Sequence, residues 1–120
     1  MKRILLADDS TVVRRGLRRM FEQAGWTVCG EATDGQEAIA MAQELRPDVV
    51  VLDLSMPLMN GLTAARVLKE IMPATPLILF TSFGNLLSAA DLELAGFSAS
   101  ISKSEAGQLV TTAQRLTDVH

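Results

Sequence analysis

Two uninterrupted apolar runs, Val49-Val50-Val51-Leu52 and Leu77-Ile78-Leu79-Phe80, constrain this chain more than any other feature. A strand with one face in water alternates polar and apolar residues; these runs do not, so both of their faces must be covered. Strands covered on both faces belong to parallel sheets, whose crossovers lay helices on either side. Ile4-Leu5-Leu6-Ala7 reads as a shorter first strand. After it, Val13, Leu17, Met20, Phe21 and Ala24 recur at helical spacing, with Arg14, Arg15, Arg18 and Arg19 on the opposite, solvated face. Gly25 ends that helix, and Thr27 to Glu31 reads as a weaker strand.

The alternation continues to the end of the chain. Asp34 and Glu37 resemble a capping box that opens a helix running to about Leu45, before Arg46-Pro47. Asn60 caps a further helix that ends near Met72-Pro73. Asn85 to Ala95 is predicted helical and closed by Gly96; Ser98 to Ser102 is a weak last strand. Glu105 to Leu116 is the last helix, with Ala106, Leu109, Val110, Ala113 and Leu116 on its inner stripe. Five strands and five helices in strict alternation predict a (βα)5 doubly wound α/β fold with a parallel sheet and right-handed crossovers.

A chain of 120 residues fits one domain, here residues 1–120, with no effector domain inside it. The net charge of −3 offers no footprint for nucleic acid. The run in residues 1–7 stops at two aspartates and is too short to span a membrane or to act as a secretory signal, so a soluble cytoplasmic protein is expected. Cys29 is the single cysteine and reads as a small core residue; His120 is the single histidine and reads as a frayed terminus. With one of each, a His/Cys transition-metal site is nearly excluded.

In open α/β sheets, sites form at the carboxyl ends of the strands. That rule sorts the polar residues. Asp8 and Asp9 follow the first strand, Asp53 ends the third, Thr81 ends the fourth and Lys103 follows the fifth. Taken singly each has a plain reading: Asp8 or Asp9 as a helix cap, Asp53 as a turn residue, Thr81 as a strand end, Lys103 as a surface lysine. Taken together they gather three carboxylates, a cation and a hydroxyl. Two carboxylates about 4 Å apart repel by roughly 4 kcal/mol at an effective dielectric near 20. Such a group calls for a hard cation, and Mg²⁺ suits it because it accepts a few carboxylates and keeps exchangeable waters. Lys103 and Thr81 suit phosphoryl oxygens. Asp53, at the end of a buried strand, is the candidate nucleophile toward phosphorus.

Leu6-Ala7-Asp8-Asp9, Asp34-Gly35, Leu52-Asp53-Leu54-Ser55-Met56-Pro57, Asn60-Gly61, Thr81-Ser82 and Ser102-Lys103 resemble, across nearly the whole chain, the CheY-like receiver domain of bacterial two-component response regulators. The resemblance implies strand order 2-1-3-4-5. It also implies phosphorylation at Asp53, with Mg²⁺ held by Asp9, Asp53 and the Ser55 backbone carbonyl and by Asp8 mainly through a water. Lys103 would pair with Asp53 or its phosphate, and Thr81 would move to bind the phosphoryl group. The donor would be a phosphohistidine on a sensor histidine kinase or a phosphotransfer protein. The last two helices and last strand would carry the output face, with a homodimer through them left open.

Three positions depart from the family pattern. Ser100 stands where an aromatic is usual, and Ser104 stands where Pro often follows the lysine. Phe83, where a polar residue is common, is expected to hinder attacking water and prolong the phosphorylated state. Lys103-Ser104 and Leu54-Ser55-Met56-Pro57 lean toward the NarL/FixJ group, whose members usually carry a C-terminal helix-turn-helix and control transcription. The alternative reading is a degenerate receiver that binds partners without phosphorylation. A phosphatase of the haloacid dehalogenase type is disfavoured, because that class sets its nucleophile in a D-x-D pattern on the first strand, and this strand ends Asp8-Asp9-Ser10.

Overall fold

The computed structural model describes residues 2–82 and 87–118. The elements are β1 (Arg3–Ala7), α1 (Thr11–Gln23), β2 (Thr27–Ala32), α2 (Gly35–Leu45), β3 (Val49–Leu52), α3 (Gly61–Ile71), β4 (Leu77–Thr81), α4 (Ala89–Ala95), β5 (Ala99–Ser102) and α5 (Leu109–Thr117), with a 3-10 segment, Lys103–Gln108, before the last helix. Among the described residues all strand pairings are parallel, in the order β2-β1-β3-β4-β5. This is the expected doubly wound sheet. Winding reverses between β1 and β3, and their carboxyl ends border the crevice where such folds place their chemistry.

β3 and β4 are buried at every residue, as their unbroken apolar sequence requires. Successive side chains point to opposite faces and build two cores. Leu5, Ala7, Val50, Leu52, Leu77 and Leu79 meet α2, α3 and α4 on one face. There Ala38, Ala42, Ala64 and Ala65 are fully buried, and their small side chains let α2 and α3 lie close to the sheet. Ile4, Leu6, Val49, Val51, Ile78 and Phe80 meet α1 and α5 on the other face, through Leu17, Phe21, Leu109 and Ala113. Each fully buried Leu, Ile or Phe contributes about 1.5–3 kcal/mol. Phe21 also stacks edge-on against Trp26, with ring centroids 5.5 Å apart.

Helix ends follow local chemistry, with three departures from expectation and one plain alternative set aside. Ser10, not Asp8 or Asp9, caps α1 and accepts a hydrogen bond from the Val13 N–H. Asp34 caps α2 as expected, but the Glu37 carboxylate accepts from the Thr33 N–H rather than from that of Asp34. The start of the helix expected from Asn85 lies outside the described residues; the described helix begins at Ala89, where Ser88 is extended and forms a reciprocal capping box with Asp91. The last helix begins at Leu109 rather than Glu105. Glu105 is non-helical, and the Ser102 hydroxyl accepts from the Ser104 N–H, which holds this stretch in a tight turn. Asn60 caps α3 as expected.

Ala24, expected on the buried stripe of α1, is its exposed C-cap. Cys29 is half-buried on the edge strand β2, its thiol donating to the Ile4 carbonyl at 3.4 Å. β5 is weak as expected, with Ile101 its one buried residue. Phe83 and His120 lie outside the described residues. Among the described residues, no helix is long and apolar enough to cross a membrane.

Candidate functional site

Register brings the expected residues to one edge. Ala7 pairs with Leu52, Leu52 with Leu79, and Thr81 with Ser102. Asp8, Asp53, Thr81 and Lys103 therefore all stand within two residues of the same sheet boundary. The backbone holds them there. The Asp8 N–H donates to the Ala32 carbonyl of β2 at 3.0 Å, and the Asp53 N–H donates to the Ala7 carbonyl of β1 at 2.9 Å. Each carboxylate thus sits on a strand end tied to its neighbouring strand.

The side chains converge. One carboxylate oxygen from each of Asp8, Asp9 and Asp53 lies within 4.8 Å of the others. Asp8 and Asp53 are buried, with 2% and 5% of their surface exposed, and Asp9 faces solvent. Lys103 bridges the buried pair, its Nζ 2.9 Å from Asp8 Oδ2 and 3.3 Å from Asp53 Oδ2. The contact to Asp53 has hydrogen-bond geometry. The closer contact to Asp8 does not, so Asp8 Oδ2 is a buried acceptor with no hydrogen bond. Thr81 is buried at the end of β4, and Ser55 lies exposed in the loop after β3.

These positions account for the proton affinities. Burial, and then the charge of Asp8, push the Asp53 carboxyl above the usual aspartate range; Lys103 and the Ser55 N–H oppose them. For Lys103, burial works against the charged form, but Asp8 and Asp53 together hold the ammonium above the ordinary lysine value. One lysine does not neutralise three carboxylates. A cation is therefore suited to this place, and an all-oxygen donor set with one buried carboxylate oxygen that has an ion pair but no hydrogen bond fits Mg²⁺.

The Asp53 shift carries a sign. A carboxyl whose folded pKa is raised favours the folded state in its protonated form. Its contribution is full below about pH 4, the ordinary aspartate value, and is lost as pH rises through the folded pKa. At neutral pH the ionised Asp53 therefore opposes folding. Asp53→Asn keeps the volume and removes the charge, and is expected to raise the metal-free melting temperature at pH 7. Below pH 4 the two proteins should converge. Thermal unfolding in a chelator across pH 3.5–7.5 measures the gap; a gap that does not grow with pH would show that Asp53 carries no such strain.

The family model of the response regulator receiver domain matches residues 4–114. The chain belongs to this family. It is thus a receiver domain of two-component systems, on the fold those domains share. It is 40% identical over 83 residues to the chemotaxis protein CheY of Thermotoga maritima, covering 69% of each chain. It is also 40% identical over 82 residues to the uncharacterized transcriptional regulatory protein YxjL of Bacillus subtilis, covering 68% of this chain but 38% of that one. The response regulator domain of Thermotoga maritima CheB superposes on all of this receiver and 98% of itself, with TM-score 0.89 and 28% identity. Relatives of CheY, CheB and DNA-regulator type thus stand side by side, and they do not single out the NarL/FixJ group.

Sequence reasoning missed two residues that pack beside the candidate site. One is Gly61, which lets α3 approach the Asp53 backbone; its place in the Asn60-Gly61 pair was visible, its reason was not. The other is Arg14. It was assigned to a solvated face, yet its side chain is 12% exposed and pairs with Glu31. No local signal separates Arg14 from Arg15 or Arg19, which are exposed.

Proposed function

We propose that this receiver accepts a phosphoryl group on Asp53 and uses it as a conformational signal. The observation that carries the reading is the convergence of the Asp8, Asp9 and Asp53 carboxylates, with Lys103 bridging two of them. Asp8, Asp9, Asp53 and the Ser55 carbonyl would hold Mg²⁺, which when bound offsets negative charge on the carboxylates and on the incoming phosphate. Asp53 supplies the attacking oxygen, fixed by its strand. Lys103 supplies a mobile positive charge for a phosphoryl oxygen, and Thr81 a hydroxyl donor. Little covalent chemistry is asked of the protein beyond placement and charge, which is what phosphoryl transfer requires.

The donor is proposed to be a phosphohistidine of a sensor kinase or phosphotransfer protein, and the outcome control of an attached or partner output module. Dimerisation through α4, β5 and α5 belongs to the same proposal. Ser100 is exposed on β5 beside Leu79. A hydroxymethyl group there offers no ring to bury, so the switch would act through Thr81 and the segment after it. A degenerate receiver would instead bind beryllofluoride without any change in helix positions or oligomeric state.

Chelation is the direct test. Acetyl phosphate with Mg²⁺ is expected to add one phosphoryl group, seen as a mass shift, and excess EDTA is expected to remove at least nine-tenths of that product. Equal labelling with and without the metal would refute the cation's part.

A further inference from the structure

The strongest feature outside the acidic cluster is the ion-pair network behind it. Glu31, near the end of β2, divides its two oxygens between two arginines of α1: Oε1 lies 3.1 Å from Arg14 Nε, and Oε2 lies 2.7 Å from Arg18 Nε. Arg14 then reaches past the first turn of its own helix. One terminal nitrogen donates to the Asp8 backbone carbonyl at 2.6 Å, and the other donates to the Thr11 hydroxyl at 3.3 Å. A planar guanidinium can serve a carboxylate, a carbonyl and a hydroxyl at once from fixed directions; a lysine ammonium is a single point.

That carbonyl belongs to the peptide unit joining Asp8 to Asp9, and its plane sets the relation between the two residues. Three further contacts meet there. The Asp8 N–H is held by the Ala32 carbonyl at 3.0 Å, the Ser10 N–H donates to Asp8 Oδ1 at 2.9 Å, and the Arg14 N–H donates to the Ser10 carbonyl at 3.0 Å. Asp8 is therefore gripped from β2 on both sides: directly by Ala32, and through Arg14 by Glu31, the residue before it.

Resting on the metal site proposed above, we infer that Arg14, anchored by Glu31, is a positioning residue that orients the Asp8–Asp9 peptide so that both carboxylates meet the cation. It touches no reacting atom. The competing view is that Arg14 merely staples α1 to β2. A staple alters folding stability without changing metal affinity in the folded protein, whereas a positioning residue alters both.

The test is Mn²⁺ titration of the full chain, followed by water-proton relaxation and by competition with Mg²⁺, beside urea unfolding in a chelator. Loss of a group that orients ligands typically weakens metal binding about 10–100-fold, and Arg14→Met is expected to lose at least about tenfold. Arg14→Lys should recover part of that loss, because it can still donate to the carbonyl. Glu31→Gln keeps Arg14 but loosens its anchor, and should cost about threefold, a fraction of that effect. An Arg14→Met protein that folds and binds within twofold of wild type overturns the inference. If that variant does not fold, unchanged binding in Glu31→Gln overturns it instead. Wild-type protein that binds no metal would remove the metal site itself; wild-type binding with indifferent variants removes only the role of Arg14.

Discussion

Asp53→Asn is expected to abolish phosphoryl incorporation from acetyl phosphate, lowering the rate on the order of a thousandfold or more. The amide oxygen is a poor nucleophile, and the substitution also removes one of three converging negative charges. The variant should fold at least as well as wild type, because the amide fills the same volume and a raised buried carboxyl has been removed. Lost labelling therefore cannot be assigned to unfolding. Neither remaining carboxylate is placed to take over. Asp8 is buried against Lys103, and Asp9 faces solvent, one residue further from the end of β1. Intact-mass spectrometry over a time course with Mg²⁺ measures the rate. Labelling of Asp53→Asn at the wild-type rate would take the phosphoacceptor role away from residue 53.

Gly61→Ala is expected to be among the most damaging single-methyl changes in the chain. A Cβ at Gly61 would lie 2.0 Å from the Asp53 carbonyl oxygen, 2.8 Å from the carbonyl carbon and 3.2 Å from the Leu54 Cα. All three are backbone atoms, so no rotamer change relieves the clash. Nor can α3 tilt freely, since the Gly61 N–H donates to the Leu54 carbonyl at 3.0 Å and Asn60 caps the helix. The β3–α3 junction must open, and Asp53 moves with it. A cost of about 2–4 kcal/mol is expected, together with a loss of Mg²⁺ affinity. Gly16→Ala is the matched control. Nothing lies within 4 Å of its added methyl, and alanine in an exposed helix should stabilise by about 0.5–1 kcal/mol. Urea unfolding of both variants reads the contrast. Equal midpoints would mean that α3 does not press on Asp53 as closely as these distances state.

The elements of the fold were legible wherever local pattern and burial agree. The apolar runs of β3 and β4 announced strands covered on both faces, and every one of their residues is buried. The positions of the five candidate site residues were legible for a related reason. Each sits at or just after a strand end, and a parallel sheet sends all such ends to one side. Helix starts were less legible. The last helix was expected at Glu105 because apolar spacing continues back to Ala106, but the hydroxyl of Ser102 captures the backbone first. Among the described residues, the helix predicted from Asn85 begins after Ser88, whose pairing with Asp91 is a cap signature three residues apart.

Strand order was a different matter, since periodicity says which face a residue occupies and nothing about which strand lies beside it. The order came from family resemblance, and pairing confirms it.

What the sequence determined by itself was a covered parallel sheet and a set of acids, a lysine and a threonine at its carboxyl edge, because side-chain periodicity and chain direction are local properties. What the tertiary structure alone decided is how those groups meet. Lys103 stands closer to Asp8 than to Asp53. One of four similar arginines turns inward to Glu31 and the Asp8 carbonyl. Gly61 is required by space rather than by dihedral angle. Each depends on distances of a few ångströms between segments far apart in the chain, and such distances are set only when both faces of the sheet have packed.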